Sequence, residues 1–130
     1  MNVYIGKSNT TPPWTVIDSD STATSTTWNN LKLAKSYTVD YTWDIVVEIV
    51  LQWESSNPVQ YPTITAKIQK NGVDVESFYN SYIAPLTDWT VVSNTISITA
   101  WDTIDIYING EVYSTNTTTT YYKSSEIRVA

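Results

Sequence analysis

The strongest constraint on the fold lies in residues 94–111, NTISITAWDTIDIYINGE. Ile96, Ile98 and Ala100 take one parity, and Thr95, Ser97 and Thr99 take the other. After Trp101-Asp102-Thr103 the pattern resumes, with Ile104, Ile106 and Ile108 alternating with Thr103, Asp105 and Tyr107. A period of two on both sides of a break is the signature of strands with one buried and one wet face. Asp and Thr hydrogen-bond nearby backbone, so the break reads as a tight turn and the stretch as a hairpin. A second turn is expected at Asn109-Gly110, with residues 112–116 returning from it.

The same alternation runs elsewhere. Residues 42–53 make the longest strand candidate, with Trp43, Ile45, Val47, Ile49, Leu51 and Trp53 on one face. The other face carries Asp44, Val46, Glu48, Val50 and Gln52 and is only half polar, so the strand is expected to be central or to have its second face covered. Val46 and Val50 are therefore the candidate oligomer face. Ile64, Ala66 and Ile68 lead into Asn71-Gly72, a pair suited to the two positive-φ positions of a type I′ hairpin turn. Leu31, Leu33, Tyr37, Val39 and Tyr41 share odd positions, as do Ser125, Ile127 and Val129 near the chain end. Val3 to Ile5 reads as a short first strand, broken by Pro12-Pro13. Residues 18–27, DSDSTATSTT, read as an exposed loop, and residues 117–120 as a loop or edge. No stretch has helical spacing. Eight to ten short strands imply an all-β antiparallel two-sheet sandwich or a closed barrel, and 130 residues suit one domain.

Composition removes several chemistries. There is no histidine and no cysteine, so the commonest general base, disulfides and thiolate ligands are absent. Ser and Thr lack a histidine to activate them, and three glycines make no phosphate loop. Only 15% of residues are charged and the net charge is −6, a poor match for nucleic acid. No apolar run approaches the roughly 20 residues that span a bilayer. Met1 without a charged and apolar leader points to a chain made in the cytoplasm and used as made, with a secreted origin as the alternative. Asp18, Asp20, Asp102 and Asp105 read as turn formers rather than catalytic acids. Asp18-Ser19-Asp20 resembles the opening of a calcium loop but lacks its Gly and Glu. Asn9 and Asn116 each begin an N-glycosylation pattern, which arises easily by chance in so Thr-rich a chain.

Six Trp and ten Tyr against one Phe favour rings with a polar handle. Trp43 and Trp53 belong to the core by alternation. Trp14, Trp28, Trp89 and Trp101 lie near loops or strand ends, as candidate interface or glycan-stacking aromatics. Burial or an interface is the commoner fate of such rings.

Two motifs carry a family resemblance. Ala66-Lys67-Ile68-Gln69-Lys70-Asn71-Gly72-Val73 resembles the strand-Lys-Asn-Gly hairpin of C1q/TNF-like jelly-roll domains. Residues 92–106 are similar to that family's alternating hydrophobics, Gly-Asp and following strand, except that Trp101 stands where the family has glycine. The family's closing aromatic-Gly strand has no match in residues 121–130. The same pattern occurs in viral and phage fibre, spike and decoration proteins. The resemblance implies a jelly roll that often trimerises, with sites at loops or between subunits and no catalysis. The expectation is a non-enzymatic virion structural protein without cofactor, on the particle exterior. Its partners would be copies of itself (a trimer), other virion proteins or host glycans. A carbohydrate-binding module of a secreted or surface protein is the alternative, and a small glycosidase or lyase fits least.

Overall fold

The computed structural model describes residues 11–27, 30–55, 63–81, 87–110, 112–113 and 116–130. Among them are ten strands and no helix: β1 (Val16–Asp20), β2 (Thr24–Thr27), β3 (Lys32–Val39), β4 (Trp43–Ser55), β5 (Thr63–Lys70), β6 (Val73–Ser81), β7 (Thr87–Ile98), β8 (Asp102–Gly110), β9 (Val112–Tyr113) and β10 (Asn116–Val129). One sheet has the order β1-β10-β4-β7, with β2 and β9 also pairing along β10. The other has the order β3-β8-β5-β6. All pairings are antiparallel. Successive strands are dealt between a six-strand sheet and a facing four-strand sheet, the arrangement of a jelly roll.

The core is the shared interior of the two sheets. Ile45, Val47, Ile49, Leu51 and Trp53 of β4 face Ile104, Ile106 and Ile108 of β8, with Ile64, Ala66 and Ile68 of β5 beside them, all at most 1% exposed. The alternation in both stretches therefore marks the buried face, and β4 is central, between β10 and β7.

Several local expectations are corrected. Residues 94–111 do not form a hairpin. β7 pairs with β4 in one sheet and β8 with β3 and β5 in the other, so 99–101 is a corner that carries the chain across the sandwich. Two turn-linked alternating strands look alike whether they pair with each other or straddle a core. Asn109-Gly110 is not a turn either, because Thr65 pairs with Asn109 and Ile64 with Gly110 inside β8. Residues 18–27 are not a loop but hold edge strands β1 and β2, with Thr26 buried. Ser and Thr suit a strand whose neighbour supplies the ladder. Residues 117–120 lie within β10, the longest described strand, where Thr120 is fully buried and donates to the Asn109 carbonyl at 2.9 Å. The expected first strand at Val3 to Ile5 lies outside the described residues.

Two bulges explain the remaining differences. In β3 the register shifts between Leu33 and Lys35, which reverses parity. Leu31 and Leu33 are left 47% and 46% exposed while Tyr37 and Val39 turn into the core. In β10 the shift falls between Tyr122 and Ser124, so Tyr122 and Ser125 both face inward. Their hydroxyls meet at 2.6 Å, and Tyr37 reaches across from the other sheet to Ser125 at 2.5 Å. Tyr122 donates to Asp20 Oδ2 at 2.7 Å. The protons thus run one way, from Tyr37 through Ser125 and Tyr122 to the Asp20 carboxylate. Burial pushes both tyrosine hydroxyls above their usual range. Burial also acts to raise Asp20, but hydrogen bonds from Tyr122 and Thr22, with the nearby Lys35, outweigh it and hold that carboxyl below its ordinary value.

Candidate functional site

The outward face of the β1-β10-β4-β7 sheet is built row by row from its register. Trp89 stands beside Gln52 and Tyr121, Val91 beside Val50 and Ser124, and Ser93 beside Glu48, Glu126 and Ser19. Thr95 stands beside Val46, Arg128 and Val16. Val46 and Val50 are half-buried, and Val16, Val91, Trp14 and Trp89 are 49%, 44%, 63% and 63% exposed. The candidate oligomer valines and two of the four candidate aromatics therefore share one face.

Its centre is charged. Glu48 and Glu126 are directly opposed, a repulsive arrangement by itself. Arg128 bonds Glu48 through Nη2 and lies 3.5 Å from Glu126 through Nε, so one guanidinium serves both acids. The Trp14 ring covers that guanidinium at 5.5 Å, a cation–π contact. Beside this group a groove of about 500 Å³ opens at the β10 bulge, lined by Asp20, Thr22, Glu48, Val50, Ser124 and Glu126 among others.

A second cluster lies at the end of the sandwich where β3, β7 and β10 finish and β1, β4 and β8 begin. Four described non-glycine residues have positive φ, and three are tryptophans: Trp14 at 67°, Trp43 at 105° and Trp101 at 74°. All three lie at this end. A bulky residue there is a backbone outlier, and Trp101 is held in it by a hydrogen bond from its N–H to the Val39 carbonyl at 2.7 Å. Ala100 N–H donates to Thr42 Oγ1 at 3.0 Å and Thr99 N–H to Asp102 Oδ2 at 2.8 Å. Trp101 is 53% exposed. A cavity of about 320 Å³ opens at the same end, lined by Pro13, Tyr41, Trp43, Asp44, Val129 and Ala130 together with Thr11.

Of the remaining sequence candidates, Trp28 and Asn9 lie outside the described residues, and Asn116 begins β10. Asp18 and Asp20 sit on β1, where Asp20 serves the tyrosine chain, and among the described residues no group of three acids is placed to hold a metal. Asp105 accepts from Ser36 Oγ at 2.5 Å and Asp102 ties the corner. Arg128, Tyr41 and Asp44 were missed as site residues. Little in the local pattern marks Arg128, since Glu126 lies on its own strand but Glu48 comes from β4 and Trp14 from before β1. Trp43 reads as core and does pack against it, half-buried. The legible signal was Trp101 in place of glycine, because its φ is one glycine adopts freely.

No protein-family model matches the sequence, and no curated protein matches it. Solved structures do match. A chain of the infectious bursal disease virus Gt strain is similar at TM-score 0.58 and 15% identity, over 94% of this chain and 34% of that one. Chains of the Gx strain and of T=1 particles derived from infectious bursal virus both match at TM-score 0.56. Their identities are 16% and 14%, each over 85% of this chain and 30% and 29% of theirs. The chain thus spans about a third of the viral structures it matches, and the likeness is one of fold.

Proposed function

We propose that this chain is a non-enzymatic structural domain of a virus particle: a capsid, decoration, spike or fibre-head subunit. It packs against copies of itself, as a trimer, or against other virion proteins, and presents part of its surface to host glycans. The observation that carries the reading is the outward face of the central strand. Val46 and Val50 stay apolar there, flanked by exposed Val16, Val91, Trp14 and Trp89, although the sheet needs only one apolar face to fold. Exposed apolar side chains on both sides of a paired ionic group mark this face as a docking surface. The jelly-roll strand order and the fold likeness to virus particle chains support the setting. The C1q/TNF-like affinity rests on the two short motifs, and its trimeric habit is the assembly we favour.

Sedimentation of the wild-type chain and of Val91→Asp tests this reading. Val91 lies on the edge strand and its change leaves the core intact. We expect an oligomer in the wild type and monomers in the variant, with unchanged far-UV circular dichroism. A wild-type monomer at high concentration that is also absent from purified particles contradicts it. A carbohydrate-binding module is the second reading, favoured by the exposed tryptophans at the end of the sandwich.

A further inference from the structure

The three left-handed tryptophans lie at one end of the sandwich, where Trp43 lines a cavity, which asks what they are kept for. Each such backbone costs on the order of 1–3 kcal/mol and persists where the surroundings impose it, often at ligand clamps. In the strand order β1-β10-β4-β7 this end presents Trp14 leading into β1, Val129 and Ala130 closing β10, Trp43 and Asp44 opening β4, and Trp101 beyond β7. Three strand spacings cover roughly 14 Å. The 320 Å³ cavity at this end is walled by Tyr41 and Trp43, whose rings meet edge-on at 5.9 Å.

One exposed carboxylate borders it. Asp44 accepts from Ser97 Oγ through Oδ1, and its carbonyl accepts from Ala130 N–H at 3.1 Å, so its position is fixed by two neighbouring strands. Among the described residues no cationic side chain lines the cavity. Flat aromatic faces, a fixed acceptor and few charges match a ligand with apolar ring faces and a rim of hydroxyls.

We propose that this end of the sandwich is a saccharide-binding site. One ring seats against Trp43 with its hydroxyls on Asp44, and the adjoining ring stacks on Trp101. The assignment rests on the glycan-contact part of the functional reading and deepens it by fixing the site. It is independent of the outward docking face, on which Trp14 and Trp89 lie.

The test is a titration, followed by tryptophan fluorescence and calorimetry, with a panel of neutral and sialylated di- to tetrasaccharides. The proteins are the wild type, Trp101→Ala, Trp101→Gly, Asp44→Asn and Trp89→Ala, each first checked for cooperative unfolding. We expect at least one saccharide to bind the wild type. Affinity should fall roughly tenfold or more in Asp44→Asn and in both Trp101 variants, and be unchanged in Trp89→Ala. Trp101→Gly keeps the test sound if Trp101→Ala is poorly folded, because glycine accepts the corner conformation. Saccharide binding that ignores Asp44 and Trp101, or is lost in Trp89→Ala, overturns this site and leaves the glycan reading standing. Binding of no saccharide overturns both and leaves the structural role untouched.

Discussion

Two turns stand side by side at one end of this molecule and solve the same backbone problem with different residues. The 71–72 hairpin turn places Asn71 at φ 52° and Gly72 at φ 80°. The 99–101 corner places Trp101 at φ 74°. They are bonded together: Asn71 Nδ2 donates to Asp102 Oδ1 at 2.8 Å, Thr103 N–H donates to Asn71 Oδ1 at 2.9 Å, and Asn71 N–H donates to the Thr103 carbonyl at 3.0 Å. The hairpin uses the residues that left-handed backbone prefers. The corner uses one of the bulkiest. Where the chain needs only to turn, sequence and conformation agree. Where they disagree, the side chain is kept for a reason other than the turn.

The largest effect is expected where the two turns meet. Asp102→Ala removes the acceptor for Thr99 N–H and for Asn71 Nδ2 together, and should cost about 1–3 kcal/mol in chemical denaturation. A cost below a few tenths would mean that the corner is held by the Trp101–Val39 and Ala100–Thr42 hydrogen bonds without Asp102. Next is Gly72→Ala. No atom lies within 4 Å of the added methyl, so only φ opposes it, and the loss should be about 1 kcal/mol. An unchanged midpoint would remove the hairpin as the relaxed member of the pair.

A smaller effect is set by pH. Burial acts to raise the Asp102 carboxyl, but Asn71, the Thr99 N–H and nearby Lys70 outweigh it and hold it below its ordinary value of 3.8. A group depressed on folding contributes stability in full above its unfolded value. That contribution is lost as pH falls through the folded value. Unfolding curves between neutral pH and pH 3 should therefore show a loss below about pH 4 that is shallower in Asp102→Asn. Equal slopes in the two proteins would contradict the linkage.

The legible and illegible parts of the sequence divide along the same line. The alternation from Ile45 to Trp53 and from Ile104 to Ile108, and Asn71-Gly72 as a turn, could be read directly because local preference and final environment coincide. Partner choice could not. Ile96 to Ile98 and Ile104 to Ile108 look like a hairpin but lie in opposite sheets, since alternation records a buried face and not a neighbour. The polar edge strands β1 and β2 were hidden because the hydroxyls that suit a loop also suit a half-exposed strand. Bulges at Leu33/Lys35 and Tyr122/Ser124 reset parity with no glycine to announce them. At the candidate site, Trp14 and Trp101 were visible as ring types at breaks, whereas Tyr41, Asp44 and Arg128 gain their roles only from strands brought together by the fold.

The claim that tryptophan occupies a glycine position against its backbone preference is tested most directly by one pair of variants. Trp101→Ala and Trp101→Gly both delete the ring and whatever it packs against, so their difference isolates the backbone. Urea unfolding of the two should show Trp101→Gly more stable by about half to 1 kcal/mol, the reverse of the order expected in an ordinary strand or helix. Equal stabilities, or an alanine variant more stable than the glycine one, would mean that Trp101 rests in an unstrained conformation, and the contrast with Gly72 would fall.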